Sequence, residues 1–109
     1  MANDRKHCHD MEAQLKALGH EMRRAIMGVY VDKGGDTPIS PRDVAGVLDQ
    51  PLSNVSYHVR VLADCEAITL VSTKPVRGSM QHFYRPSTKF VELPWVADVL
   101  GLDVTAEAA

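Results

Sequence analysis

Apolar residues recur at helical spacing through the first half of this chain and switch to strand-like alternation just beyond it. Met11, Leu15 and Leu18 predict a first helix that Gly19 closes. From His20 a second helix carries Met22, Ile26, Val29 and Tyr30 on one face and ends at Lys33-Gly34-Gly35. After the connector Asp36-Thr37-Pro38, Ser40-Pro41 opens a short third helix: the hydroxyl caps free amides and the proline needs no N–H in the first turn. Val44, Val47 and Leu48 are its expected inward residues. Asp49-Gln50 then turns the chain into Pro51, read as the first-turn residue of a fourth helix running to about Cys65.

In that fourth helix Leu52, Val55, Val59 and Leu62 form an apolar stripe. The other flank carries Ser53, Asn54, Ser56, Tyr57 and Arg60, with no carboxylate until Asp64. A solvated helix face ordinarily mixes both charge signs, whereas a face meant for phosphates and base edges excludes acids. A short helix, a tight turn and this helix make a helix-turn-helix. Ile68–Lys74 alternates and is rich in β-formers, Pro75-Val76-Arg77-Gly78 reads as a turn, and Met80–Arg85 returns as a second strand, a hairpin wing stopped by Pro86. Phe90, Leu93, Trp95, Val96, Val99 and Leu100 form an apolar terminal segment, with Pro94 starting a helix and Gly101 ending it.

The expected fold is therefore mainly α with a small β-hairpin wing, a winged helix-turn-helix. Residues 1–10 are a flexible start, 11–86 the DNA-binding domain, 87–102 an apolar segment suited to dimerisation, and 103–109 a loose tail. The 109 residues allow one modest core. No apolar run is long enough for a bilayer span, so no membrane partner is expected. The polar start MANDRKHCHD lacks the core of a secretion signal. Cys8 and Cys65 lie far apart in dissimilar contexts, so a disulfide is not expected and a cytoplasmic location is the default.

The net charge of −2 is unevenly spread. Residues 53–89 hold five bases against two acids, while residues 90–109 hold four acids and no base. This distribution, more than the total, bears on nucleic acid.

The chain resembles the ArsR-type winged helix-turn-helix transcription regulators over about residues 15–86. Leu18, Arg23 and Ile26 match the family's early helix signature; Val55-Ser56-x-His58-Val59-x-Val61-Leu62 matches its recognition helix; Phe83-Tyr84-Arg85 matches the end of its wing. The resemblance implies a prokaryotic homodimeric regulator, more commonly a repressor, with helix 51–65 in the major groove of double-stranded DNA. Three departures stand out. Glu66 occupies a bend where the family commonly has glycine, Arg42–Leu48 contains no thiol, and no histidine follows His82. The family's metal-sensing sites therefore do not carry over.

Arg60 can fork onto a guanine edge and Asn54 can pair with adenine, beside Ser53, Ser56 and Tyr57. Lys74 and Arg77 of the wing (74–79) can reach flanking backbone, and Arg42 is a further phosphate contact. The dull alternative for each is a solvated surface. His58, beside the stripe, is expected to be half-buried and bonded to a backbone carbonyl, and Cys65 to be buried filler. Met11, Leu15, Leu18, Trp95 and Val99 are the expected dimer interface, unless the tail folds back onto its own core. His7, Cys8 and His9 have metal-ligand chemistry, but consecutive residues cannot all converge on one ion. No nucleophile–base set and no phosphate-cradling loop is present, so neither catalysis nor a cofactor is expected. No small-molecule effector can be named. The rival readings are a metal- or thiol-responsive regulator using His7, Cys8 and His9, and a winged helix that binds protein instead of DNA.

Overall fold

The computed structural model describes residues 11–101. Helices α1 (Met11–Leu18), α2 (Glu21–Lys33), α3 (Pro41–Leu48) and α4 (Leu52–Asp64) precede a hairpin of β1 (Ile68–Val76) and β2 (Ser79–Pro86). Two short helices follow, α5 (Thr88–Val91) and α6 (Pro94–Leu100). The His7, Cys8 and His9 cluster and the tail from 102 onward lie outside the described residues.

Local chemistry sets most boundaries. The His20 ring caps α2, its Nδ1 accepting the Met22 N–H at 3.0 Å. Ser40 and Asp43 form a reciprocal capping box at α3, with Pro41 in the first turn. Asp49, left-handed at φ 54°, closes α3 and turns the chain toward α4. Pro51 stands one residue earlier than expected: it flanks α4 in an extended conformation, and the helix begins at Leu52.

Helix α2 is the centre, packing on α1, α3, α4, α6 and β2. Its Ile26, Met27 and Tyr30 meet Val44 of α3, Val55, Val59 and Leu62 of α4, and Phe90 and Val96 from the terminal segment, all at most 2 % exposed. Fully burying one such side chain contributes about 1.5–3 kcal/mol. Two arginines fasten α1: Arg23 Nε donates to the Lys16 and Ala17 carbonyls, and Arg24 Nη1 to that of Leu18. These are carbonyls that the helix end leaves without intrahelical partners.

Several expectations change. Val47 is 49 % exposed, because the buried arc of α3 runs through Val44, Ala45 and Leu48 and Val47 sits past its edge. Leu52 is 38 % exposed, since the first turn of α4 projects beyond the body. Leu18, expected at a dimer interface, is buried in the core at 4 % and offers a partner almost no surface. The terminal segment is two helices, the first capped by Ser87, whose hydroxyl accepts the Phe90 N–H. Phe90, Val96 and Ala97 fill the chain's own core, and the Trp95 indole donates to Gln14 of α1. Met11, Leu15 and Val99 remain exposed.

The wing is tighter than expected. Strand β1 continues through Pro75 and Val76, leaving a two-residue turn in which Arg77 and Gly78 both have positive φ, 32° and 78°. That is the sense of turn matching the twist of paired strands, and only the glycine adopts it without strain. A bulge interrupts the ladder between Leu70 and Ser72. At the stem, Tyr84 of β2 exchanges both backbone hydrogen bonds with Ile39 just before α3.

Candidate nucleic-acid interface

The polar flank of α4 faces outward. Ser53, Asn54, Tyr57 and Arg60 are exposed and Ser56 half-buried, while Val55, His58, Val59 and Leu62 turn inward. Helix α4 has no acid in its first turn, and Pro51 supplies no side-chain cap, in contrast to His20 on α2 and Ser40 on α3. Its leading amides and positive dipole end are therefore not neutralised by a capping side chain.

A groove of about 470 Å³ separates α4 from the wing. Arg42 stands at one end; Leu52, Ser56, Val59, Arg60 and Asp64 form the α4 wall; Val76, Ser79, Met80, Gln81, His82 and Tyr84 form the wing wall. The structure thus gathers Arg42, Ser56 and Arg60 around one concavity. Lys74 and Arg77 are exposed farther out on the hairpin, at and near its turn. Asp64 introduces one carboxylate at the far end of this wall. Burial pushes the Tyr84 phenol up, Arg60 opposes this and Asp64 adds to it, so Tyr84 keeps its proton near neutral pH.

Sequence reasoning overlooked the wing wall. Its signal was the alternation of Met80, His82 and Tyr84, which places these residues on one side of β2, with the His82 and Tyr84 rings nearly parallel at 6.4 Å. Met80 of the wing wall and Leu52 of the α4 wall, at 53 % and 38 % exposure, are exposed apolar residues of the groove.

Behind α4, His58 is only 5 % exposed, and its partner is the Arg23 guanidinium at 3.0 Å, not a backbone carbonyl. A guanidinium can only donate, so His58 Nδ1 must accept and the ring is neutral with its proton on Nε2. Burial, the His20 ring and the Arg23 charge all lower the His58 pKa from 6.5. The His20 and His58 ring centroids lie 4.5 Å apart. Glu66 takes the bend after α4 at φ 62°, a left-handed conformation a side chain enters at about 1–2 kcal/mol. Cys65 is buried at 1 % exposure.

No family model matches the chain, and no curated protein does. Among solved structures, a possible transcriptional regulator from Methanosarcina mazei Go1 is similar with a TM-score of 0.58 at 17 % identity, covering 90 % of this chain and 78 % of that one. The fold is that of a winged helix. In this winged helix, α3 and α4 are the helix-turn-helix and β1–β2 is the wing. Among the described residues no helix is long and apolar enough to cross a membrane, and no group of histidine, cysteine and acidic side chains could hold a metal ion.

Proposed function

We propose that this protein is a sequence-specific, DNA-binding transcriptional regulator of the ArsR type, non-enzymatic and acting as a homodimer in a prokaryotic cytoplasm. The observation that carries the reading is the outward, acid-free flank of α4 from Ser53 to Arg60, set beside a groove bordered by Arg42 and the wing. Helix α4 enters the major groove, where Arg60 and Asn54 reach base edges and Ser53, Ser56 and Tyr57 reach bases or phosphates. Leu52 and Met80 suit thymine methyl groups. Arg42, Lys74 and Arg77 hold flanking backbone.

The exposed Met11, Leu15 and Val99, with Trp95 beside them, support a two-fold interface of α1 and α6. Such a dimer sets two recognition helices about 34 Å apart, one turn of DNA. Repression by occluding polymerase is the commoner outcome that the resemblance to ArsR-type regulators implies, with activation as the alternative.

The test is selection of duplexes from a random pool by the purified protein, followed by sequencing. An enriched site with two-fold symmetry supports the reading. A pool that stays random, with no retention even at low salt where phosphate neutralisation is strongest, rejects it.

A further inference from the structure

The wing reaches outward with little to hold it. From Ser72 to Met80 every residue is exposed except the half-buried Val76. A two-stranded hairpin is marginal without packing. Its stem is anchored by the Tyr84–Ile39 backbone pair, and Arg85 donates to the Gly35 carbonyl. Three residues farther toward the tip, Gln81 Nε2 donates to Ser40 Oγ at 2.8 Å.

Ser40 is 0 % exposed and already committed. Its hydroxyl donates to Asp43 Oδ2 at 3.1 Å and accepts the Asp43 N–H at 3.3 Å. The same carboxylate oxygen accepts the Ser40 N–H at 2.9 Å. A hydroxyl has one proton and two lone pairs, and here all three are used. With its only proton on the carboxylate, Ser40 can receive Gln81 solely as a donor, so the amide orientation is fixed. The bond ties β2 to the first residue of the helix-turn-helix. Gln81 is also the ladder partner of Lys74, whose Cβ on the same face lies about 5 Å away.

We propose that Gln81 is a positioning residue. Through the α3 capping box it sets the angle between wing and helix-turn-helix, and so delivers Lys74 and Arg77 to the phosphates flanking the bases that α4 meets. This rests on the DNA-binding reading and extends it. Gln81 itself need not touch DNA.

The experiment compares the full chain with Gln81→Met, Lys74→Ala/Arg77→Ala and the triple variant, on a duplex isolated from a random pool by the unmutated protein. Gln81→Met is expected to weaken binding about tenfold and lower the salt slope by about 1–2, as removing the two wing cations does. In the background lacking both cations it is expected to have no further effect. Amide order parameters of Arg77 and Gly78, measured without DNA, are expected to fall in Gln81→Met and stay unchanged at Val44. Equal losses in both backgrounds, or unchanged binding with unchanged order parameters, overturns the proposal. If the unmutated protein enriches no duplex, the DNA reading fails and this role with it; rigid wing amides in Gln81→Met would reject the latch alone.

Discussion

The Arg23 guanidinium sits between two helix systems, with Nη1 3.0 Å from His58 Nδ1 on α4 and Nε on the last carbonyls of α1. One side chain thereby fixes the back of the proposed recognition helix to the start of the fold. Truncating Arg23 to alanine removes the partner of the buried His58 ring and of two carbonyls near the end of α1. A loss of about 1–3 kcal/mol is expected in urea unfolding. A loss within experimental error would mean that water replaces the arginine without penalty.

The same contact makes stability fall in acid. The His58 pKa is lowered in the folded state by burial, then by His20 and Arg23, while the unfolded chain titrates near 6.5. Above that value the ring is neutral in both states and contributes no slope. Below it the unfolded chain binds the extra proton, so stability declines as pH drops from about 6.5 through the lowered folded value. Urea midpoints measured from pH 8 to pH 5 should show this decline. Gln at position 58 keeps an acceptor for Arg23 without titrating, so His58→Gln should flatten that part of the curve.

Tyr30 is wholly buried, and its hydroxyl has no hydrogen-bond partner among the described residues. The ring packs edge-on to Tyr84 at 6.4 Å. Tyr30→Phe retains the ring and removes the unmet polar group. Calorimetry should find the variant as stable as the parent or more so, by about 1 kcal/mol. A clear loss of stability would show that the hydroxyl is satisfied in solution.

At the wing tip, fold and proposed function pull in opposite directions. Arg77 occupies a positive-φ position better suited to asparagine or glycine. Arg77→Asn should therefore raise or preserve the melting temperature while weakening DNA binding and lowering its salt slope by about 1. A variant that binds as tightly as the parent would remove Arg77 from the interface.

Much of the fold was legible because its signals are local. Ser40-Pro41 announced α3, Pro94 and Gly101 bracketed α6, and the alternation in Ile68–Lys74 and Met80–Arg85 announced the wing. What escaped depends on tertiary partners. Nothing local shows that Leu18 faces α2 and Leu15 faces solvent, because both fit one helical spacing. The small Ala13 and Ala17 take the buried side of α1. The ligand of His58 lies thirty-five residues away in sequence, and the Gln81–Ser40 bond spans forty-one. The polar flank of α4 could be read from periodicity alone; the groove beside it required knowing where the wing folds back.

The account turns on the outer flank of α4, and Arg60→Ala addresses it most directly. Fluorescence anisotropy on an enriched duplex, for parent and variant, should show a loss of about 1–3 kcal/mol with discrimination relaxed at one base position. Indistinguishable affinity and specificity would contradict the assignment of α4 as the helix that reads DNA.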